Sequence, residues 1–237
     1  VIVFDGRGIL LDVEGTTSSI SFVYDVLFAH AKRHVGDFLA RHRDDPAVRA
    51  AATGLAATAG LPGADLSDPA ALARVAQGAI ELMNRDVKDT ALKSLQGMIW
   101  RSGFESGEIV AHVYDDVPPA LAGWADSGFD VRIYSSGSVE AQRLFFGHTA
   151  AGDLTPFLRG HYDTTTGPKR EPSSYAAIAD DMGLPARQIL FVSDVGAELD
   201  AARRAGMATA LAVRPGNRDA GGVFDHDPIA SFAEIVA

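Results

Sequence analysis

Ile9-Leu10-Leu11-Asp12-Val13-Glu14-Gly15-Thr16-Thr17 decides how the rest of the chain is read. An apolar run stops abruptly at two carboxylates and a Gly-Thr turn. This pattern predicts a buried strand that delivers acids to its C-terminal end. In an open α/β sheet, ligands bind in the crevice beyond the strand ends. Asp12 and Glu14 are two apart and in a strand would lie on one side. Like charges held that close need a cation or a shared proton. Read alone, the stretch also fits a strand followed by a solvated acidic turn.

Two later segments repeat the design. Phe129 to Tyr134 is apolar and ends in Ser135-Ser136-Gly137-Ser138. Gln188 to Val192 is apolar and ends in Ser193-Asp194. Helical patterns separate them. Ser138 is a plausible N-cap for the first. The second spans Ser173 to Met182, with Gly183 as its stop. Further strands are expected at Gly160 to Asp163 and Ala208 to Val213, with a helix over Ala197 to Ala205. Val1 to Phe4 reads as an edge strand or hairpin arm beside Ile9 to Asp12. The tail from Arg214 reads as turn-rich. Strands alternating with helices imply βαβ units and a mostly parallel, doubly wound sheet.

The region between the first strand and His112 has another period. Val23, Val26, Leu27, Ala31, Val35, Phe38 and Leu39 fall at helical spacing. Asp68-Pro69 has the form of a helix start. Leu72, Val75, Ala79 and Met83 continue that helix, and Leu92, Leu95 and Ile99 mark another. Ala51 to Gly63 reads as a short helix and a loop. The fold class expected is therefore α/β with an inserted all-helical domain. Residues 1–17 and 110–237 form the core, and 18–109 form the insertion.

Composition narrows the function. The chain has 237 residues, 47% apolar, with formal net charge −10 and no cysteine. An acidic chain argues against non-specific nucleic-acid binding. No apolar run reaches a membrane span, and the opening residues do not read as a signal peptide. The lack of cysteine excludes thiolate chemistry and Cys-ligated zinc, and suits a reducing cytosol. A small anionic substrate stays compatible, because a local cation reverses the field of a site.

The acids and hydroxyls at three strand ends, with Lys169 in the turn Gly167-Pro168-Lys169-Arg170-Glu171, suit phosphoryl transfer. A carboxylate can attack phosphorus in line. Mg²⁺ prefers oxygen ligands, and Asp12 and Asp194 offer them. Hydroxyls and a lysine can hold and neutralise phosphoryl oxygens. Glu14 can protonate the leaving oxygen and later activate water.

These residues resemble the four motifs of the haloacid-dehalogenase superfamily: Asp12-Val13-Glu14-Gly15-Thr16, then Ser135, Lys169 and Asp194, in order. Within it the sequence is similar to the enolase-phosphatase family of methionine salvage. That family has Glu, not Asp, two residues after the nucleophile, and its first motif matches Asp12 to Phe22 with Val13 in place of Ile. Tyr134 to Ser138, Phe145 to His148, Gly152 to Pro156, Gly167 to Glu171, Ile189 to Asp194 and Leu95 to Trp100 match further segments. The resemblance implies an enzyme with one Mg²⁺ per subunit that enolises 2,3-diketo-5-methylthiopentyl 1-phosphate and dephosphorylates it to the acireductone. It implies Asp12 as nucleophile and metal ligand, and Glu14 as acid/base at the metal, partly through its backbone carbonyl. Ser135 and Ser136 would bind phosphate, Lys169 would orient phosphate and nucleophile, and Asp194 would bind metal. The helical insertion would be a cap.

Tyr24 and Ala29-His30 depart from the family's commoner Lys and Pro-Tyr, which bears on cap contacts rather than chemistry. The expected partner is a small phosphate ester, with no nucleic acid or membrane, and the expected state is a cytosolic monomer. Another small phosphomonoesterase is the alternative. A phospho-accepting signalling domain would be shorter and uninterrupted. His148 and His161 read as structural. Glu198 reads as an outer metal-site group or an ordinary first-turn acid. Phe22, Trp100 and Phe104 read as lining for a methylthio group or as core.

Overall fold

The computed structural model describes residues 1–85, 87, 89–217 and 225–236. The chain divides into two compact units, Val1–Val23 with Val110–Ala237, and Tyr24–Ile109.

The first unit holds a six-stranded sheet. Along the chain its strands are β2 (Gly8–Leu11), β3 (Asp130–Tyr134), β4 (Gly160–Tyr162), β5 (Ile189–Ser193), β6 (Ala208–Ala212) and β7 (Asp227–Ile229). The spatial order is β4-β3-β2-β5-β6-β7, and every pairing is parallel. β2 and β5 lie at the centre and are buried throughout, which is why their sequences are unbroken apolar runs. Leu11 pairs with both Ile133 and Val192. That register brings Asp12, Ser135 and Ser193-Asp194 to one carboxyl edge.

Helices α5 (Val117–Asp126), α6 (Val139–Gly147), α7 (Pro172–Met182) and α8 (Gly196–Arg204) link these strands. Ser138 caps α6 by accepting from Ala141 N at 3.2 Å. Gly183 ends α7 in the left-handed conformation, φ +65°. Tyr134, Tyr175, Ile178, Phe191 and Leu199 pack with Leu10 in a core that α7 and α8 share with the sheet.

β1 (Ile2–Val3) does not join this sheet. It pairs in parallel with β8 (Ile235–Val236), so the first strand is neither edge nor hairpin arm beside β2. The turn Asp5-Gly6 redirects the chain. Gly6 is required there because a Cβ would lie 2.5 Å from Gln188 O. Ala111 makes only a one-residue bridge with Thr149, so after the insertion the first named strand is β3. The tail adds β7, β8 and a capped 3-10 turn at Phe232–Glu234, and its residues 218–224 lie outside those described.

The second unit is helical: α1 (Ala29–Arg41), α2 (Pro46–Thr58), α3 (Pro69–Asn84) and α4 (Thr90–Glu105). A wide π-type stretch, Phe22–Phe28, leads into α1. Val35, Leu39, Leu55, Val75, Leu95 and Ile99 fill its core. Asp45, Asp68 and Asp89 cap α2, α3 and α4. The Asp45-Pro46 start repeats the Asp68-Pro69 signal, so α2 begins five residues before Ala51. Trp100 donates to Leu27 O at 2.8 Å and stacks on Phe28. Among the described residues, no helix is long and apolar enough to cross a membrane.

Leu10 is fully buried at the centre of the sheet. Leu10→Ala is expected to destabilise the first unit by about 2–5 kcal/mol. The check is urea unfolding followed by Trp124 fluorescence in a Trp100→Phe background, since the sequence has two tryptophans and Trp124 lies in this unit.

Candidate active site

Asp12 follows β2 directly and is almost completely buried. Its Oδ1 accepts from Val13 N at 2.7 Å and meets Lys169 Nζ at 2.8 Å. Its Oδ2 lies 3.1 Å from Ser193 Oγ. Lys169 Nζ also meets Glu198 Oε2 at 2.6 Å, and Ser193 Oγ stands 3.2 Å from that same oxygen. One ammonium and one hydroxyl thus join the acids of β2 and α8.

The turn after Asp12 is wound tightly. Val13 O accepts from the amides of Thr16, Thr17 and Ser18. Thr16 Oγ1 accepts from Asp194 N at 3.1 Å, which ties this turn to the end of β5. Gly15 has φ +73°, and a Cβ there would lie 2.3 Å from Asp194 Oδ2. Only glycine lets the main chain sit against that carboxylate. From behind, Arg214 Nε donates to Thr16 O at 3.0 Å and Asn217 Nδ2 to Gly15 O at 2.8 Å. Arg214 is itself held by Asp116 at 2.9 Å and by the rings of Tyr114 and Phe232.

Lys169 is positioned by three buried side chains. Tyr134 OH donates to Gly167 O (2.9 Å), Ser174 Oγ to Pro168 O (2.8 Å) and Tyr175 OH to Lys169 O (2.7 Å). Three consecutive carbonyls each accept from a hydroxyl, and Pro168 O also accepts from Glu171 N at 3.0 Å. Gly167, at φ +145°, leaves room for Ser174, whose Oγ a Cβ would approach to 2.3 Å.

The electrostatics follow from burial. Desolvation disfavours the Lys169 ammonium, but Asp12 and Glu198 outweigh it and hold its pKa above the ordinary lysine value. Burial, then the charges of Asp12 and Glu198, push Asp194 up to about 7. Burial and Asp12 also raise Glu198. Asp12, Asp194 and Glu198 set three carboxylates against the Lys169 ammonium, and a hard divalent cation would balance the excess. The donor set, all oxygen, fits such an ion.

Ser135 is buried at the end of β3, where its Oγ accepts from Gly137 N at 3.2 Å, whereas Ser136 is exposed. Glu14 is half-buried in the turn after β2, its main chain bridged to Ser18. His148 bonds Leu144 O, where α6 ends, and His161 meets Gln142 Oε1. Burial lowers His161 to about 4. Phe22 packs on Phe145 and His112, and Phe104 is buried in the helical unit. Ser193, Tyr134, Ser174, Tyr175, Arg214 and Asn217 hold the site together without any motif that assigns them to it. Tyr134 and Ser193 adjoin the strand-end motifs; the others carry no local signal.

A parallel sheet with an acid-and-lysine cluster at its carboxyl edge defines a hydrolase of the phosphoryl-transfer type. The chain matches the haloacid dehalogenase-like hydrolase family over residues 1–206. It is 47% identical over 230 residues to the enolase-phosphatase E1 of Pseudomonas aeruginosa (strain UCBPP-PA14), covering 97% of this chain and 98% of that one. It is 47% identical over 214 residues to that of Methylococcus capsulatus, covering 90% and 92%. The solved UTR4 protein of Saccharomyces cerevisiae superposes with a TM-score of 0.80 at 36% identity, covering 97% of this chain and 100% of that one. The chain belongs to the enolase-phosphatase E1 family of the haloacid dehalogenase-like hydrolases.

Two outcomes are expected. Between about pH 4 and 7 the folded, metal-free protein binds more protons at Asp194 than the unfolded chain, so its stability falls as pH rises through that window. A hard divalent cation prefers an ionised carboxylate, so if Asp194 holds one, calorimetry should show Mg²⁺ raising Tm more at pH 8 than at pH 6. Tyr175→Phe removes the hydroxyl beneath Lys169 and should cost about 1 kcal/mol in chemical denaturation, with a larger loss in kcat than in KM.

Proposed function

We propose that this chain is a bifunctional, Mg²⁺-dependent enolase-phosphatase. It converts 2,3-diketo-5-methylthiopentyl 1-phosphate to the acireductone and inorganic phosphate, as a cytosolic monomer. The observation that carries this reading is the buried Asp12, held on one oxygen by Lys169 and facing Ser193 with the other. Family membership supports the substrate.

Asp12 is the nucleophile. A carboxylate oxygen attacks phosphorus, the ester P–O bond breaks, and the leaving oxygen takes a proton from Glu14. Water, deprotonated by Glu14, then attacks phosphorus and breaks the bond to Asp12, releasing phosphate and restoring the carboxylate. Lys169 keeps its charge throughout and screens the phosphoryl oxygens. Ser135 accepts from Gly137 N, so its own proton is the one to offer a phosphoryl oxygen. Ser136, exposed beside it, is a second donor for the substrate. Asp12, Asp194 and the Glu14 carbonyl would hold one Mg²⁺ per subunit. When bound, that ion neutralises the charge shared by nucleophile and phosphate. Glu198 holds Lys169 and would shape the surroundings of the ion. The helical unit takes the role of a cap that excludes water and selects substrate.

The test supplies the diketo phosphate with Mg²⁺ and follows the enediol chromophore and free phosphate in one tube. The enol should precede phosphate. No signal would sink the reading, and faster turnover of other phosphate esters would replace the substrate. Asp12→Ala should lower phosphate release by about 10⁴-fold or more. Glu14→Ala should stop phosphate release as well. If enolisation persists in that variant, Glu14 serves only the second step.

A further inference from the structure

We infer that His30, His34 and Glu108 form a binding site for one imidazole-preferring transition-metal ion, such as Zn²⁺, inside the helical unit. One donor atom from each residue lies within 4.8 Å of the others. None of the three takes part in the chemistry proposed above.

The site is built by two elements. His30 and His34 are four apart on α1 and therefore share a face. Their rings stack with centroids 4.2 Å apart. The same i, i+4 spacing of histidines on a helix serves zinc in unrelated proteins. Glu108 comes from the turn that ends α4. Gly107, at φ +77°, lets the chain fold back, and Ile109 N bonds Gly103 O at 2.9 Å. This turn brings Glu108 Oε2 to 3.8 Å from His34 Nε2.

Gly103 makes the room. A Cβ at this position would lie 2.7 Å from His30 Nε2. The imidazole is thus seated against bare main chain, with its position fixed before any ion arrives. Burial and the neighbouring His34 lower the His30 pKa, with Arg33 acting in the same direction and Glu108 opposing. The neutral ring, which carries the lone pair a metal needs, is favoured.

The remaining movement is small. Zinc binds nitrogen and oxygen at about 2.0–2.2 Å, which sets tetrahedral donors about 3.4 Å apart. His34 and Glu108 are 32% and 58% exposed, so their side chains can rotate to close the gap. Two imidazoles and one carboxylate suit Zn²⁺, Ni²⁺ or Cu²⁺. Mg²⁺ favours the all-oxygen set at Asp12 and Asp194. The two sites thus sort metals by donor chemistry. An ion here would bind the start of α1 to the turn at Glu108, close to both ends of the unit at Tyr24 and Ile109.

The experiment uses the whole protein, stripped by chelator and held in saturating Mg²⁺, titrated with Zn²⁺ by calorimetry. One equivalent is expected, weakened at least about tenfold in His34→Gln and in Glu108→Gln, and retained in Asp194→Asn. Zn²⁺ should raise Tm in the wild type and not in the first two variants, whose half-exposed positions leave the core intact. Three results would overturn the site: no Zn²⁺ binding, equal affinity in wild type and both ligand variants, or loss of the equivalent in Asp194→Asn alone. Any of them would reduce the cluster to a stacked histidine pair with a surface ion pair.

Discussion

One buried and two partly buried carboxylates gather near one ammonium at the carboxyl edge of the sheet, and much of the first unit answers to that concentration of charge. Each acid costs desolvation energy that an ion pair only partly returns. Lys169 pairs with Asp12 and Glu198, yet burial and the charge of Asp12 push both Glu198 and Asp194 towards neutrality. Holding such groups together requires a scaffold that cannot relax. The central strands supply it, because β2 and β5 have no exposed face on which to slip register. Arg214 and Asn217 brace the Gly15-Thr16 turn, and three hydroxyls brace the lysine loop.

This arrangement explains what could be read from the sequence. Strand ends such as Leu11-Asp12 and Val192-Ser193-Asp194 are legible because the change from apolar to acidic is local and abrupt. The parallel sheet follows from its alternation with helices, and the Asp68-Pro69 and Gly183 signals fall at helix ends as expected. The start of α2 was less visible, since its alanine-rich body masks the Asp45-Pro46 cap. Pairing partners of very short strands are not local at all. Ile2–Val3 meets Ile235–Val236 from the far end of the chain, and nothing in either dipeptide specifies the other.

The site divides in the same manner. Asp12, Ser135, Lys169 and Asp194 stand out by motif, and the fold brings Asp12, Lys169 and Asp194 into one charge cluster. The residues that restrain them do not stand out. Arg214 lies about two hundred residues from Thr16, whose carbonyl it holds, and Tyr175 resembles any buried aromatic of a helix. Glu198 was ambiguous because a first-turn glutamate is common for reasons of helix polarity alone. Its contact with Lys169 exists only once α7 and α8 are packed.

The place where the helical unit interrupts the chain has a consequence for divergence. β2 and β3 are neighbours in register, so whatever joins them is thermodynamically a closed loop. Without the unit that crossover would be roughly 30 residues, and with it the crossover is roughly 120. Closure entropy grows only with the logarithm of length, about 0.6 kcal/mol per doubling, so the lengthening costs the sheet about 1.2 kcal/mol. Against the stability of a domain that is a modest toll. Because the unit has its own core, it can be lengthened, shortened or exchanged while β2 and β3 keep their pairing. Selection can therefore act on the insertion almost independently of the strands that carry the acids.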